Sequence, residues 1–304
     1  MKAVIFGATG LIGSNVAARL RDGGSSVISV SRNKPSAESK IPGLAEYREL
    51  RLDKEQLSAI MDGSDAVINF SGASVFSRHH DYDAEVRDSR ISVTRAISES
   101  MAACGRKPSV FINGSATGYY GKTEASQELT EDSLPGKDFW GKLVEEWEAA
   151  AAPAMEAGVR TVFLRTSVVL SHEGGALSQL IPVFKVHLGG YIKPGDQNFA
   201  WVHMEDEVGL VEHAIGNTQV SGPMNAASPG YVTSVKFSRA LGDAMGRKSG
   251  LGIPEFILRA RVGKAFDLLA SGGKIIPKKA LDTGYRFRFT DINAAMNEII
   301  GKLK

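Results

Sequence analysis

A chain of 304 residues, 43% of them hydrophobic, is long enough to bury one large core or two moderate ones. Its 36 basic and 34 acidic residues leave a net charge of +2 without any block of like charge, so neither nucleic acid nor a membrane face is an expected partner. A single cysteine, Cys104, excludes an internal disulfide framework and suits a reducing compartment; Gly7 and Gly10 break the first apolar run, no later one approaches membrane-spanning length, and a cytoplasmic location is expected.

From the N-terminus, AVIF (3–6) reads as a continuous apolar strand, followed by a helical pattern over 11–22. VISVS (27–31) and YRELRL (47–52) read as further strands, then a helix over 54–62, the strand AVINF (66–70) and a long helix over 84–103. VFIN (110–113), a helix over 138–152 and TVFLRTSVVL (161–170) complete the alternation. Strand and helix in turn, with several strands apolar throughout, predict right-handed βαβ units and a Rossmann-type doubly wound parallel sheet, an α/β fold. Past Leu170 the rhythm breaks: 171–207 is Gly-rich and loop-like, and 235–304 mixes helical patterns with a β segment, GYRFRF (284–289). The expected organisation is a dinucleotide-binding domain over 1–170, to which 208–234 returns, and a smaller substrate-side domain from 171–207 and 235–304.

The first strand runs directly into GATGLIG, where Gly7, Gly10 and Gly13 space as G-x-x-G-x-x-G before the helix. Such a turn needs glycine so that backbone N–H groups can approach a pyrophosphate, and the helix N-terminus adds partial positive charge. The loop residues Gly7, Thr9, Gly10, Leu11, Ile12 and Gly13 are therefore candidate cofactor contacts. The second strand ends Val30-Ser31-Arg32-Asn33 with no carboxylate to accept from a ribose 2′-hydroxyl, whereas Arg32 can pair with a 2′-phosphate. NADP is thus expected over NAD, with Ser31 and Arg32 at its ribose end; a solvated Arg32 is the plain alternative. Asp53 suits the adenine edge or an N-cap of the next helix equally well. Asn69-Phe70-Ser71-Gly72 lets backbone pass close to a cofactor or forms an ordinary loop. Arg90 lies on the apolar stripe of Val86, Val93, Ile97 and Met101, where a guanidinium must snorkel or find an anion.

These pieces, together with EVRDSRISVT (85–94), SATGYYG, Trp147-Glu148, RTSVVL before GGA, GGYIKPGDQNFAWVHMED (189–206), NAASP (225–229) and IIPKKALDTGYRFRF, resemble the extended short-chain dehydrogenase/reductase superfamily. More narrowly, they resemble its epimerase family of SDR39U-type and YfcH-like NADP-binding proteins. The resemblance implies a nucleotide-sugar-epimerase-like fold, NADP binding, a role for Glu85 and Arg90 in the cofactor pocket, and Val168 and Val169 near the nicotinamide. Members of the superfamily use Tyr-x-x-x-Lys with a Ser or Thr, the lysine lowering the tyrosine pKa and holding the ribose. Here Lys142 suits the lysine, but Asp138 stands four residues before it, and the usual hydroxyl position falls on Ala116, between Ser115 and Thr117. Tyr120 with Lys142 and Ser115 is the candidate catalytic set; Tyr119 and Tyr120 packing against the cofactor is the alternative. Tyr119, Trp201 and His203 are expected to line the substrate pocket, with Asp206 orienting the imidazole or capping a helix. The histidines, His79-His80 included, form no metal-ligand spacing.

The expectation is an NADP-dependent oxidoreductase or epimerase-like enzyme acting on a small hydroxylated or carbonyl compound, sugars included, in a cleft at the carboxyl ends of the strands. The broken relay keeps a catalytically degenerate NADP-binding sensor or scaffold as the alternative, and Arg32 disfavours an NAD-dependent epimerase proper. Helices 84–103 and 138–152 are where related folds pair, so a homodimer is compatible with the sequence, which leaves oligomeric state open.

Overall fold

The first strand, β1 (Lys2–Phe6), is buried from Ala3 onward, as a strand covered on both faces must be. A computed structural model describes residues 1–51, 53–75, 82–269 and 272–303; the end of the third expected strand at Leu52 and the His79-His80 pair lie outside them. After β1 come α1 (Leu11–Asp22), β2 (Ser26–Ser31), α2 (Lys34–Lys40), β3 (Glu46–Glu49), α3 (Lys54–Met61) and β4 (Ala66–Asn69). Next follow α4 (Tyr82–Ala102), β5 (Val110–Ala116), a 3-10 turn (Thr117–Tyr120), β6 (Glu128–Leu129), α5 (Phe139–Ala149), α6 (Ala152–Glu156) and β7 (Arg160–Thr166). Then come β8 (Val168–Leu170), α7 (Ala176–Lys185), β9 (Gly190–Ile192), β10 (Asn198–Phe199), β11 (Trp201–His203), α8 (Met204–Gly216) and β12 (Gly222–Ala226). The chain closes with β13 (Val232–Thr233), α9 (Ser234–Met245), β14 (Leu251–Ile253), α10 (Glu255–Val262), α11 (Phe266–Leu269), β15 (Lys274–Ile275), α12 (Lys278–Asp282) and α13 (Ile292–Gly301).

Seven strands form one sheet in the order β12-β7-β5-β4-β1-β2-β3, with β1 parallel to β2 and β4, β2 to β3, and β4 to β5. The strand order reverses on either side of β1, the doubly wound pattern. Of residues 208–234, β12 forms one edge of this sheet.

The chain divides into two compact units. The first holds residues 1–115, 143–164 and 208–224, the second 116–142, 165–207 and 225–304. In the first, Val4, Phe6, Val30, Leu57, Met61, Val67, Ile97, Met101, Phe111 and Phe163 share one core. The second packs Leu177, Phe184, Phe199, Trp201, Phe237, Leu241, Met296 and Ile299 together, with a smaller cluster of Tyr120, Leu129, Ala227 and Ile275.

Four local expectations need correction. The run 161–170 is two strands: Ser167 gives both its N–H (3.0 Å) and its hydroxyl (2.8 Å) to the Ala226 carbonyl, and β8 pairs with β11 instead. The helix over 138–152 stops at Ala149, because Pro153 has no N–H to give the Ala149 carbonyl, and a second short helix starts at Ala152. Residues 171–207 hold a helix, three short strands and the first turn of α8 where loop was expected. GYRFRF is no strand: a buried carboxylate takes two of its backbone N–H groups, those of Arg288 and Phe289.

Candidate functional site

In the first unit, β1 ends at Gly7, whose φ of +77° is left-handed and whose N–H donates to the Val30 carbonyl. A Cβ at Gly7 would lie 2.6–2.7 Å from the Phe70 and Ser71 backbone, and one at Gly13 would lie 2.3 Å from the Gly7 carbonyl oxygen. Glycine at both positions is therefore what lets the loop fold against α1 and β4. Gly10 is the N-cap of the 12-residue helix α1 and has no side chain to cap it. The first-turn N–H groups of Leu11, Ile12 and Gly13 thus have no capping side chain and suit an anion, with Thr9 and Gly10 at the loop tip.

At the end of β2, Ser31 is buried and its hydroxyl donates to the Asn33 carbonyl, while the Asn33 side chain caps α2 by accepting from Ser36 N–H at 2.9 Å. Arg32 stands exposed between them, and among the described residues no hydrogen bond or ion pair engages it. From the far end of α2, Lys40 donates to the Thr9 carbonyl, bringing a second cation to the loop. Sequence reading missed α2 and with it Lys40; the available signal was a capping Asn33 with Pro35 in the first turn. An uncapped helix start, a glycine cradle with no room for a Cβ, and two cations fit a dinucleotide carrying an extra phosphate. Asp53 is used as the N-cap of α3, accepting from Gln56 N–H at 2.8 Å.

The carboxyl ends of β4 and β5 are locked by a buried polar network. Asn69 Nδ2 donates to Asn113 Oδ1 (2.8 Å) and Thr94 Oγ1 (3.0 Å), Trp147 Nε1 donates to Thr94 Oγ1 (2.9 Å), and Asn69 Oδ1 accepts from Ser71 N–H. This fixes the Phe70–Gly72 backbone beside Gly7. Among the described residues Arg90 is held by backbone carbonyls and not by a carboxylate. Its guanidinium donates to the Val86 and Ala73 carbonyls, lies over the Trp147 ring and sits against Gly72, and burial brings its pKa down to about 10. Glu85 is exposed in the first turn of α4. Ser115, at the end of β5 and 5% exposed, donates to Glu148 Oε1 at 2.6 Å. Glu148, on the last part of α5, carries no local sequence signal for this contact.

In the second unit the two tyrosines meet a buried arginine. The Arg165 guanidinium lies 3.4 Å from the Tyr119 ring centroid and donates to the Tyr120 hydroxyl at 3.2 Å. Tyr120 in turn donates to Asn225 Oδ1 at 2.6 Å, and burial pushes its phenol up to about 12. Glu131 Oε1 accepts from Asn225 and Lys279 N–H groups. Tyr120 is thus buried, with its hydroxyl hydrogen-bonded on both sides. Asp138, in the relay tyrosine's position, caps α5: its oxygens accept from the Gly141 and Lys122 N–H groups. Lys142 lies exposed on the first part of α5.

Trp201 and His203, expected to line the substrate pocket, are both buried. Trp201 is 1% exposed and donates to the Gly230 carbonyl; His203 is 2% exposed, stacks on Phe289 and holds Glu298 through Nε2 at 3.1 Å, with burial lowering its pKa. Both are core. Asp206 neither orients His203 nor caps a helix; it accepts from Arg288 and Phe289 N–H groups (2.7 and 2.9 Å) and the Tyr285 hydroxyl, which pins the GYRFRF segment. Val168 and Val169 pair with Trp201 and Val202 in the β8–β11 ladder.

A doubly wound sheet whose first strand feeds a glycine cradle and an uncapped helix defines a dinucleotide-binding protein of the Rossmann class. The model of the NAD dependent epimerase/dehydratase family matches residues 3–227, and a domain of unknown function, DUF1731, matches 253–299. The chain belongs to that epimerase family. It is 36% identical over 296 residues to an epimerase family protein of Mycobacterium leprae, covering 96% of this chain and 94% of the relative. It is also similar to the crystal structure of the human epimerase family protein SDR39U1 with NADPH, at 30% identity and a TM-score of 0.87 over 99% of both chains. The UDP-glucose 4-epimerase of Thermotoga maritima, at 18% identity and a TM-score of 0.81 over 100% of this chain and 98% of that one, shares the fold.

Proposed function

We propose that this chain is an NADP-dependent oxidoreductase or epimerase-like enzyme of the extended short-chain type, working in the cytoplasm on a small hydroxylated or carbonyl compound, sugars included. The observation that carries the reading is the first unit's dinucleotide cradle: Gly7, Gly10 and Gly13 beside an uncapped helix start, with Arg32 where an NAD site would hold a carboxylate. The NADPH held by human SDR39U1 supports the same choice of cofactor. When bound, the nicotinamide would supply or accept a hydride. The protein's own part is to hold the phosphates on the Leu11–Gly13 amides, to meet the 2′-phosphate with Arg32 and Lys40, and to present hydroxyl groups at the sheet's carboxyl edge.

The test is a titration with NADPH and with NADH, following nicotinamide fluorescence. NADPH is expected to bind roughly ten- to a hundredfold more tightly, the worth of one charge-assisted contact of about 1.5–3 kcal/mol. Arg32→Glu should remove that preference. Binding of neither cofactor would reduce the glycine loop to a turn and end the reading. The committed Tyr120 hydroxyl and the capping Asp138 favour a second reading, a non-catalytic NADP-binding sensor or scaffold. Bound cofactor that never changes oxidation state with any sugar, ketone or aldehyde would support it.

A further inference from the structure

An enzyme that moves a hydride to or from a carbon bearing oxygen must also move a proton at that oxygen. Of the candidate hydroxyls, Tyr120 is unsuited: its phenol donates to Asn225 and accepts from Arg165. Asp138, in the relay position, spends both oxygens on backbone N–H groups. His203 is buried against Phe289 and Glu298. Ser115 differs. It ends β5, which pairs with β4, itself beside β1, so its hydroxyl sits on the same carboxyl edge of the sheet that carries the glycine cradle, within the same unit.

The Ser115 hydroxyl gives its hydrogen to Glu148 Oε1 at 2.6 Å, which leaves the Oγ lone pairs to accept from another O–H. Glu148 is only partly buried, so a proton arriving there can pass on to water. Its neighbour Trp147 is bonded to Thr94 and lies along Gly114, so this part of α5 is fixed against β5. We infer that Ser115 and Glu148 form the proton relay of this chain in place of a tyrosine. The inference rests on the enzyme reading above.

In the oxidising direction the substrate's O–H proton moves to Ser115 Oγ as Ser115's own proton moves to Glu148 Oε1, and the C–O bond becomes C=O. The hydride leaving that carbon goes to the cofactor of the proposed function. In the reducing direction Glu148 returns a proton through Ser115 to the new alkoxide.

The experiment uses the full chain, with Ser115→Ala, Glu148→Gln, Glu148→Asp and the Ser115→Ala/Glu148→Gln double variant. NADPH binding is followed by fluorescence, and NADPH oxidation is measured against hexoses, cyclohexanone, benzaldehyde and phenanthrenequinone. The expected result is unchanged NADPH affinity, with kcat/KM down at least about a hundredfold in Ser115→Ala and in Glu148→Gln. The double variant should be no worse than either single one, because the two act as a unit. Glu148→Asp should restore part of the rate. Wild-type turnover with both variants within about threefold of it would overturn the relay and leave the enzyme reading standing. Weakened NADPH binding in the variants would overturn it too, by assigning the pair to the cofactor site. A wild-type protein that binds NADPH yet oxidises it with no probe would overturn relay and enzyme reading together.

Discussion

Single residues here separate what is committed to structure from what is left for chemistry. Tyr120 is on the structural side: Tyr120→Phe should leave NADPH binding unchanged and lower the urea midpoint, since Asn225 Oδ1 and Arg165 lose a buried partner, at a cost of about 1–3 kcal/mol. Glu207 shows the opposite problem. Its side chain is fully buried, Oε1 accepts from the Thr166 hydroxyl, Oε2 has no partner among the described residues, and burial pushes its pKa to about 8. In the unfolded chain the same carboxyl titrates near about 4.3. Below that value folded and unfolded states both hold the proton. As pH rises from there the unfolded state ionises while the folded one does not, so stability falls until the folded group also ionises near 8. Chemical denaturation between the two values should show this decline, and Glu207→Gln should flatten it. An unchanged slope in the variant would mean that other groups carry the dependence.

At the level of elements, most of the sheet and its helices were legible because burial on both faces leaves unbroken apolar runs such as AVIF and AVIN, and because Gly7, Gly10 and Gly13 constrain the chain locally. What sequence reading missed has long-range causes. The GYRFRF segment has the composition of a strand, yet its Arg288 and Phe289 N–H groups go to Asp206, some 80 positions earlier, and nothing local announces that. Trp201 and His203 looked like pocket residues by type; only the fold decides that they are core. Ser115 was visible as a candidate, but Glu148 was not, because a serine–glutamate pair 33 residues apart has no motif. Asp206→Ala tests the clamp: with the Arg288 and Phe289 N–H groups left without their acceptor, a loss on the order of 3 kcal/mol is expected, read as a lower urea midpoint. Faster amide exchange at Arg288 and Phe289 should accompany it. Gly13→Ala belongs at this level as well. Its methyl would meet the Gly7 carbonyl, so NADPH affinity should fall while α3 and α4 keep their exchange protection.

The whole chain is interleaved: each of the two units is assembled from three separate stretches of sequence, and only the second includes the C-terminal 80 residues. The glycine cradle and the Ser115–Glu148 pair lie in the first unit and the arginine–tyrosine cluster in the second. The pairing of Glu131 with Lys279 spans 148 residues. At ribosomal speeds of about 5–20 residues per second, Glu131 leaves the exit tunnel on the order of ten seconds before its partner exists. During synthesis, therefore, the buried acid of the folded protein is an ordinary solvated one, and the second unit must wait for residues beyond 224. A chaperone that holds nascent chains would find its work in the stretch around Glu131 and Arg165, not in the glycine cradle, whose unit has all its pieces once residue 224 has emerged.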